Sequence, residues 1–69
     1  MSQEIRERIA KNVRKFRLKR KLKREQLSLI LGLDNSYISK LERSSINITI
    51  DNLAGIADFF GIDIIELLK

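Results

Sequence analysis

Four side chains near the middle of the chain, Asn35, Ser36, Ser39 and Lys40, have the chemistry to read the edges of base pairs. An asparagine amide offers a donor group beside an acceptor, which matches N6 and N7 of adenine. A lysine one turn later can donate to O6 or N7 of guanine, or reach a phosphate. Serine hydroxyls bond to almost any base and carry little sequence information. The same residues also have an ordinary reading, because Asn and Ser are favoured where helices start. A second chemistry lies upstream. Residues 1–24 hold eleven Lys/Arg against Glu4 and Glu7, a balance of +9, whereas residues 25–69 hold three against seven acids, a balance of −4. The block Arg14, Lys15, Arg17, Lys19, Arg20, Lys21, Lys23 and Arg24 can neutralise phosphates and release their counterions. Alternatively, it is a solvated helix end whose cations complement the macrodipole.

Side chains with such roles need a rigid support, and the surrounding residues describe one. Leu27 and Leu31 are four apart and share a helical face. Gly32 follows, where a left-handed residue ends a helix without a Cβ clash. Leu33 can plug the angle to the next helix, and Asp34 suits an N-cap. Ile38 and Leu41 then restart an apolar stripe. The spacing predicts a second helix over about Arg24–Leu31 and a third over about Asn35–Arg43, with Asn35, Ser36, Ser39 and Lys40 on one side and Ile38 and Leu41 inward. Helix, short glycine turn, helix is the helix-turn-helix arrangement, whose second helix enters the major groove.

The flanks complete the set. A first helix is predicted over about Gln3–Arg20, with Ile5, Ile9, Val13 and Phe16 as its stripe. The polar loop 44–48 leads to Thr49, an N-cap for a fourth helix that buries Leu53, Ile56, Ala57 and Phe60 and stops at Gly61. Asp63 and Glu66 form a pair close to a capping box, opening a short fifth helix with Ile64, Leu67 and Leu68. Isolated helices of these lengths are marginal in water, so the five stripes must close one core. The expectation is an all-α fold with one domain spanning 1–69, since 69 residues leave no room for a second core.

Several function classes lose their support. The chain has no cysteine and no histidine, which removes disulfides, thiolate metal sites and the commonest general base. Without a glycine-rich phosphate loop either, the remaining carboxylates, lysines and hydroxyls form no catalytic constellation, so an enzyme is not expected. No cofactor, metal or small-molecule ligand is expected. The absence of a membrane-length apolar run and of a leader-like start points to a cytoplasmic protein with no membrane partner.

From about Ile5 to Leu68 the chain resembles the helix-turn-helix family of phage Cro and repressor proteins, often called the XRE family. Within it, the segments 33–39, 41–43 and 47–50 are most similar to the controller proteins of restriction–modification systems. The resemblance implies a compact five-helix, lambda-repressor-like DNA-binding domain with the helix-turn-helix at helices 2 and 3. It implies phosphate contacts from Tyr37, Arg43, Asn47 and Thr49, although Tyr37 could equally be a surface aromatic with a wet hydroxyl. Arg24 stands where related repressors carry a DNA-contacting glutamine, and Lys23 replaces the usual Ser/Thr cap; both read as phosphate ligands. Arg17 and Glu42 match a family ion pair that bridges the first helix to the third. Four further positions depart from the family. Ser28 replaces an alanine at the helix crossing, tolerable if its hydroxyl bonds a carbonyl one turn back. Lys21 replaces a glycine. Leu29 and Ile30 fall at commonly polar positions, so they are expected to be exposed.

The function these readings imply is sequence-specific binding to double-stranded DNA by a transcription regulator, acting as a homodimer on an inverted-repeat operator. Phe59 and Ile65 fall out of register with the buried faces of the last two helices and are the expected dimer contacts. The alternative is an antitoxin-type or protein-interaction module with the same fold.

Overall fold

Ile9, Val13 and Phe16 run along one side of α1 (Gln3–Lys19), which is followed by α2 (Arg24–Ile30), α3 (Tyr37–Glu42), α4 (Ile50–Phe60) and α5 (Ile65–Leu68). The computed structural model describes residues 1–69. α1 packs on α3 and α5, and α2 packs on α3. α4 joins through Leu53, Ile56 and Ala57, which are buried, and through Phe60, whose ring lies 5.7 Å from that of Phe16. Leu27, Ile38, Ile56, Leu67 and Val13 have essentially no exposed surface and form the centre of an all-α, single-core fold. No helix is long and apolar enough to cross a membrane.

The helix ends follow one pattern. α1, α2, α3 and α4 each finish on a left-handed residue, with the next amide reaching back five residues: Leu22 to the Arg17 carbonyl, Leu33 to Ser28, Ser45 to Lys40 and Ile62 to Ala57. This is the Schellman arrangement, which satisfies carbonyls that would otherwise lack donors. Glycine takes the left-handed position at Gly32 and Gly61, but Lys21 (φ 57°) and Ser44 (φ 59°) hold it in the other two. A residue with a Cβ is strained there.

Several expectations need correction. α3 starts at Tyr37 rather than Asn35, and Asp34 does not cap it. The Asp34 carboxylate instead accepts from the Ser36 hydroxyl (3.1 Å), while Tyr37 N–H donates to the Asp34 carbonyl (2.9 Å), so residues 34–36 form a turn. At α5, Asp63 Oδ1 accepts from Ile65 N–H, but Glu66 pairs with Lys69 rather than closing a capping box. Ile5 and Leu68 lie at the outer ends of their helices and stay exposed; the buried stripe of α1 begins a turn later, at Ile9. Leu33 is half-buried but lies outside the core, whereas Leu31 and Leu22 pack on it.

Candidate nucleic-acid interface

The Thr49 hydroxyl caps α4 by accepting from Asn52 N–H (3.1 Å), and Ser28 fixes the angle between α2 and α3. The Ser28 hydroxyl donates to the Arg24 carbonyl (3.0 Å) and accepts Ile38 N–H (3.0 Å), an amide in the first turn of α3. One buried oxygen therefore serves as a cap supplied from another helix. The first half of this arrangement follows from the residue type; the second depends on a contact ten positions away.

α1, the start of α2 and the approach to α3 enclose an open groove with no apolar side chain in its lining. Arg14 and Arg17 line it from α1, Lys23 from the N-cap of α2, Arg24 and Glu25 from its first turn, and Asn35, Ser36 and Ser39 from the third side. Four cations face one carboxylate, so the groove attracts anions. Asn35 and Ser36 sit in the turn before α3, and Ser39 within its first turns. Lys40 is exposed on α3 but does not line the groove. Lys23 and Arg24 are exposed, and α2 is opened by Gln26, whose Oε1 accepts from Lys23 N–H (2.8 Å). The lysine side chain has no acceptor to return the bond, so its ammonium stays free for a ligand.

The remaining candidates lie outside that groove, where α3 meets the start of α4. Tyr37 is half-buried, and its hydroxyl accepts from Asn52 Nδ2 (3.1 Å). Thr49 and Arg43 are exposed, the latter at the end of α3. Asn47 is exposed too, with its Oδ1 held by the Arg6 guanidinium.

The basic block does not act as one patch. Arg17 Nε and Nη2 donate to the two Glu42 oxygens (2.6 and 3.0 Å), and its Nη1 donates to the Leu22 carbonyl (2.7 Å). Arg20 Nη2 donates to the Phe60 carbonyl (3.1 Å), with its guanidinium over the Phe59 and Phe60 rings. Lys15 and Lys19 lie over Phe16. Arg14, Lys23 and Arg24 are thus the groove cations without a structural partner, and Arg14 is the one that the family resemblance did not single out from the basic block. At the opposite end, Ile65 is 57% exposed, but Phe59 is half-buried, packed on the core edge-on to Phe60. The core uses more of Phe59 than its register implies, because Arg20 folds over it.

A family model described as helix-turn-helix matches residues 13–67. A hypothetical transcription factor of Neisseria meningitidis serogroup B (strain ATCC BAA-335 / MC58) is 35% identical over 66 residues, covering 96% of this chain and 62% of that protein. Control protein C.SmaI of Serratia marcescens is 37% identical over 65 residues, covering 94% of this chain and 77% of that protein. The chain therefore spans less than two thirds of the length of the Neisseria relative. Among solved structures, the crystal structure of hypothetical transcription factor NHTF from Neisseria superposes with a TM-score of 0.90 at 31% identity, over 100% of this chain and 80% of that one. The restriction–modification controller protein C.AhdI from Aeromonas hydrophila superposes with a TM-score of 0.83 at 28% identity, over 94% of each chain.

Proposed function

This chain belongs to the helix-turn-helix family of the Cro/repressor (XRE) type, whose members are DNA-binding transcription regulators, and on that footing we propose that it binds a specific duplex site as a homodimer. One observation carries the reading: the all-polar groove that gathers Arg14, Lys23 and Arg24 beside Asn35, Ser36 and Ser39. In it the cations hold phosphates and fix the register, while Asn35, Ser36 and Ser39, with Lys40 beyond the groove, read base edges. Tyr37, Arg43, Asn47 and Thr49 hold the adjoining backbone. One recognition helix reads only a few base pairs, so a two-fold pair on half-sites about one helical turn apart supplies the remaining specificity. Ile65, with the outer edges of Phe59 and Leu68, forms the surface for that pairing. Footprinting on the DNA flanking its own coding region tests the proposal. Protection of an inverted repeat, weakened steeply by salt, is the expected result; equal affinity for random duplex refutes it.

The likeness to C.SmaI and C.AhdI favours a second, narrower reading, in which the chain controls expression in a restriction–modification system. A protected site beside methyltransferase or nuclease genes supports it, and an operator beside unrelated genes rejects it.

A further inference from the structure

Arg6 lies in the first two turns of α1, where a basic residue ordinarily reads as solvated surface. Its guanidinium instead crosses to the loop between α3 and α4. Both Nε and Nη2 donate to Asn47 Oδ1, while Nη1 leans on Gln3 Oε1 of the same helix. A guanidinium has only donors, so the asparagine amide has a single permitted orientation: oxygen toward Arg6 and Nδ2 away from it. The flanking side chains hold the loop in place. Ser45 Oγ donates to the Lys40 carbonyl, Ile46 and Ile48 pack on the core, and Thr49 caps α4. Asn47 is thereby an exposed amide that presents donors only, with a cation behind it that polarises them. Such a group suits an anionic oxygen and cannot accept from a base.

We infer that Arg6 is a positioning residue for DNA binding, which orients the Asn47 amide so that Nδ2 donates to a backbone phosphate. The inference rests on the DNA-binding reading above. It makes the N-terminal turns of α1 part of the binding surface through a neighbour rather than by direct contact.

Operator affinity of wild type, Arg6→Ala, Asn47→Ala and the double variant, each over a salt series, tests this. Each single variant loses about tenfold, the worth of one charge-assisted hydrogen bond, and the double variant loses no more than either one. Asn47→Asp supplies an independent readout. Its carboxylate still pairs with Arg6 and keeps the thermal midpoint at or above wild type, yet affinity falls because the donors are gone and an anion faces the phosphate. Losses that multiply in the double variant, with the salt slope reduced by about one ion in Arg6→Ala, show Arg6 gripping phosphate itself and overturn the proposal. Full affinity in Arg6→Ala overturns it as well. In both cases wild type still binds duplex, so the broader reading survives; a wild type that binds no duplex removes both.

Discussion

Glu42→Ala is the most informative single perturbation of this fold, because Glu42 holds Arg17 yet does not line the groove itself. The side chains of Arg17 and Glu42 are 8% and 3% exposed, and the guanidinium meets the carboxylate through two bonds of 2.6 and 3.0 Å. Removing the carboxylate leaves a buried guanidinium that cannot give up its proton, with the Leu22 carbonyl as its sole remaining hydrogen-bond partner. Stranding one member of a buried pair costs about 3 kcal/mol or more. A chain of this size has about 3 to 10 kcal/mol of stability in all. A loss of about 3 kcal/mol lowers the thermal midpoint by at least about 12 °C, since each kcal/mol moves a domain this small by about 4–8 °C. The assay is denaturant unfolding of wild type, Glu42→Ala, Arg17→Met and the double variant, with footprints taken well below every midpoint. The apolar double variant relieves much of the cost, so coupling above about 0.5 kcal/mol is expected. Strict additivity, or a midpoint lowered by only a degree or two in Glu42→Ala, refutes the reasoning. An altered footprint at full stability refutes it too.

Replacing Asn35 by alanine costs about 1–3 kcal/mol on the cognate site and leaves random-duplex affinity intact. An equal loss on both in a titration assay removes it as a base reader. Arg24→Ala weakens both kinds of binding and reduces the salt slope by about one ion. Phe59→Ala/Ile65→Asp shifts sedimentation equilibrium at micromolar concentration from dimer to monomer. A wild type that is already monomeric there rejects the pairing surface. Lys21→Gly relieves a left-handed residue at the end of α1, worth up to about 1 kcal/mol after the entropy of glycine is subtracted. Its thermal midpoint rises by several degrees, and an unchanged or lower midpoint contradicts the strain argument.

The buried face of α4 is legible in the sequence because burial of a helix face repeats at fixed local spacing: Leu53, Ile56, Ala57 and Phe60 need no partner to be identified. Gly32 and Gly61 are legible for the same reason, as left-handed stops that favour one residue type. The start of α3 is not, because the donors of its first turn are satisfied by Asp34 main chain and a distant Ser28 rather than by a local cap. Asn12 carried a signal that reading by residue type passes over. It falls three residues after Ile9 and four before Phe16, inside the apolar stripe, and its Nδ2 donates to the Leu67 carbonyl (3.0 Å). A polar residue in such a stripe marks a buried hydrogen bond, but the partner is 55 positions away and invisible to periodicity. The candidate site divides in the same way. Residue chemistry picks out Asn35, Ser36, Ser39 and the cationic block, and the family resemblance already pairs Arg17 with Glu42, whereas tertiary geometry commits Arg20 to Phe60 and leaves Arg14.

The Ser28 hydroxyl has a consequence for the order in which parts of the molecule come undone. α3 has six residues, too few to persist as an isolated helix, and one amide of its first turn ends on an oxygen that belongs to α2. When α2 loosens, Ile38 N–H loses its acceptor and α3 loses the packing that α2 supplies at once. The two helices therefore exchange their amide hydrogens as one cooperative unit, at a single opening free energy, rather than fraying separately. A ligand held only by Lys23 and Arg24 at the start of α2 consequently slows exchange across α3 as well, including at residues it never touches.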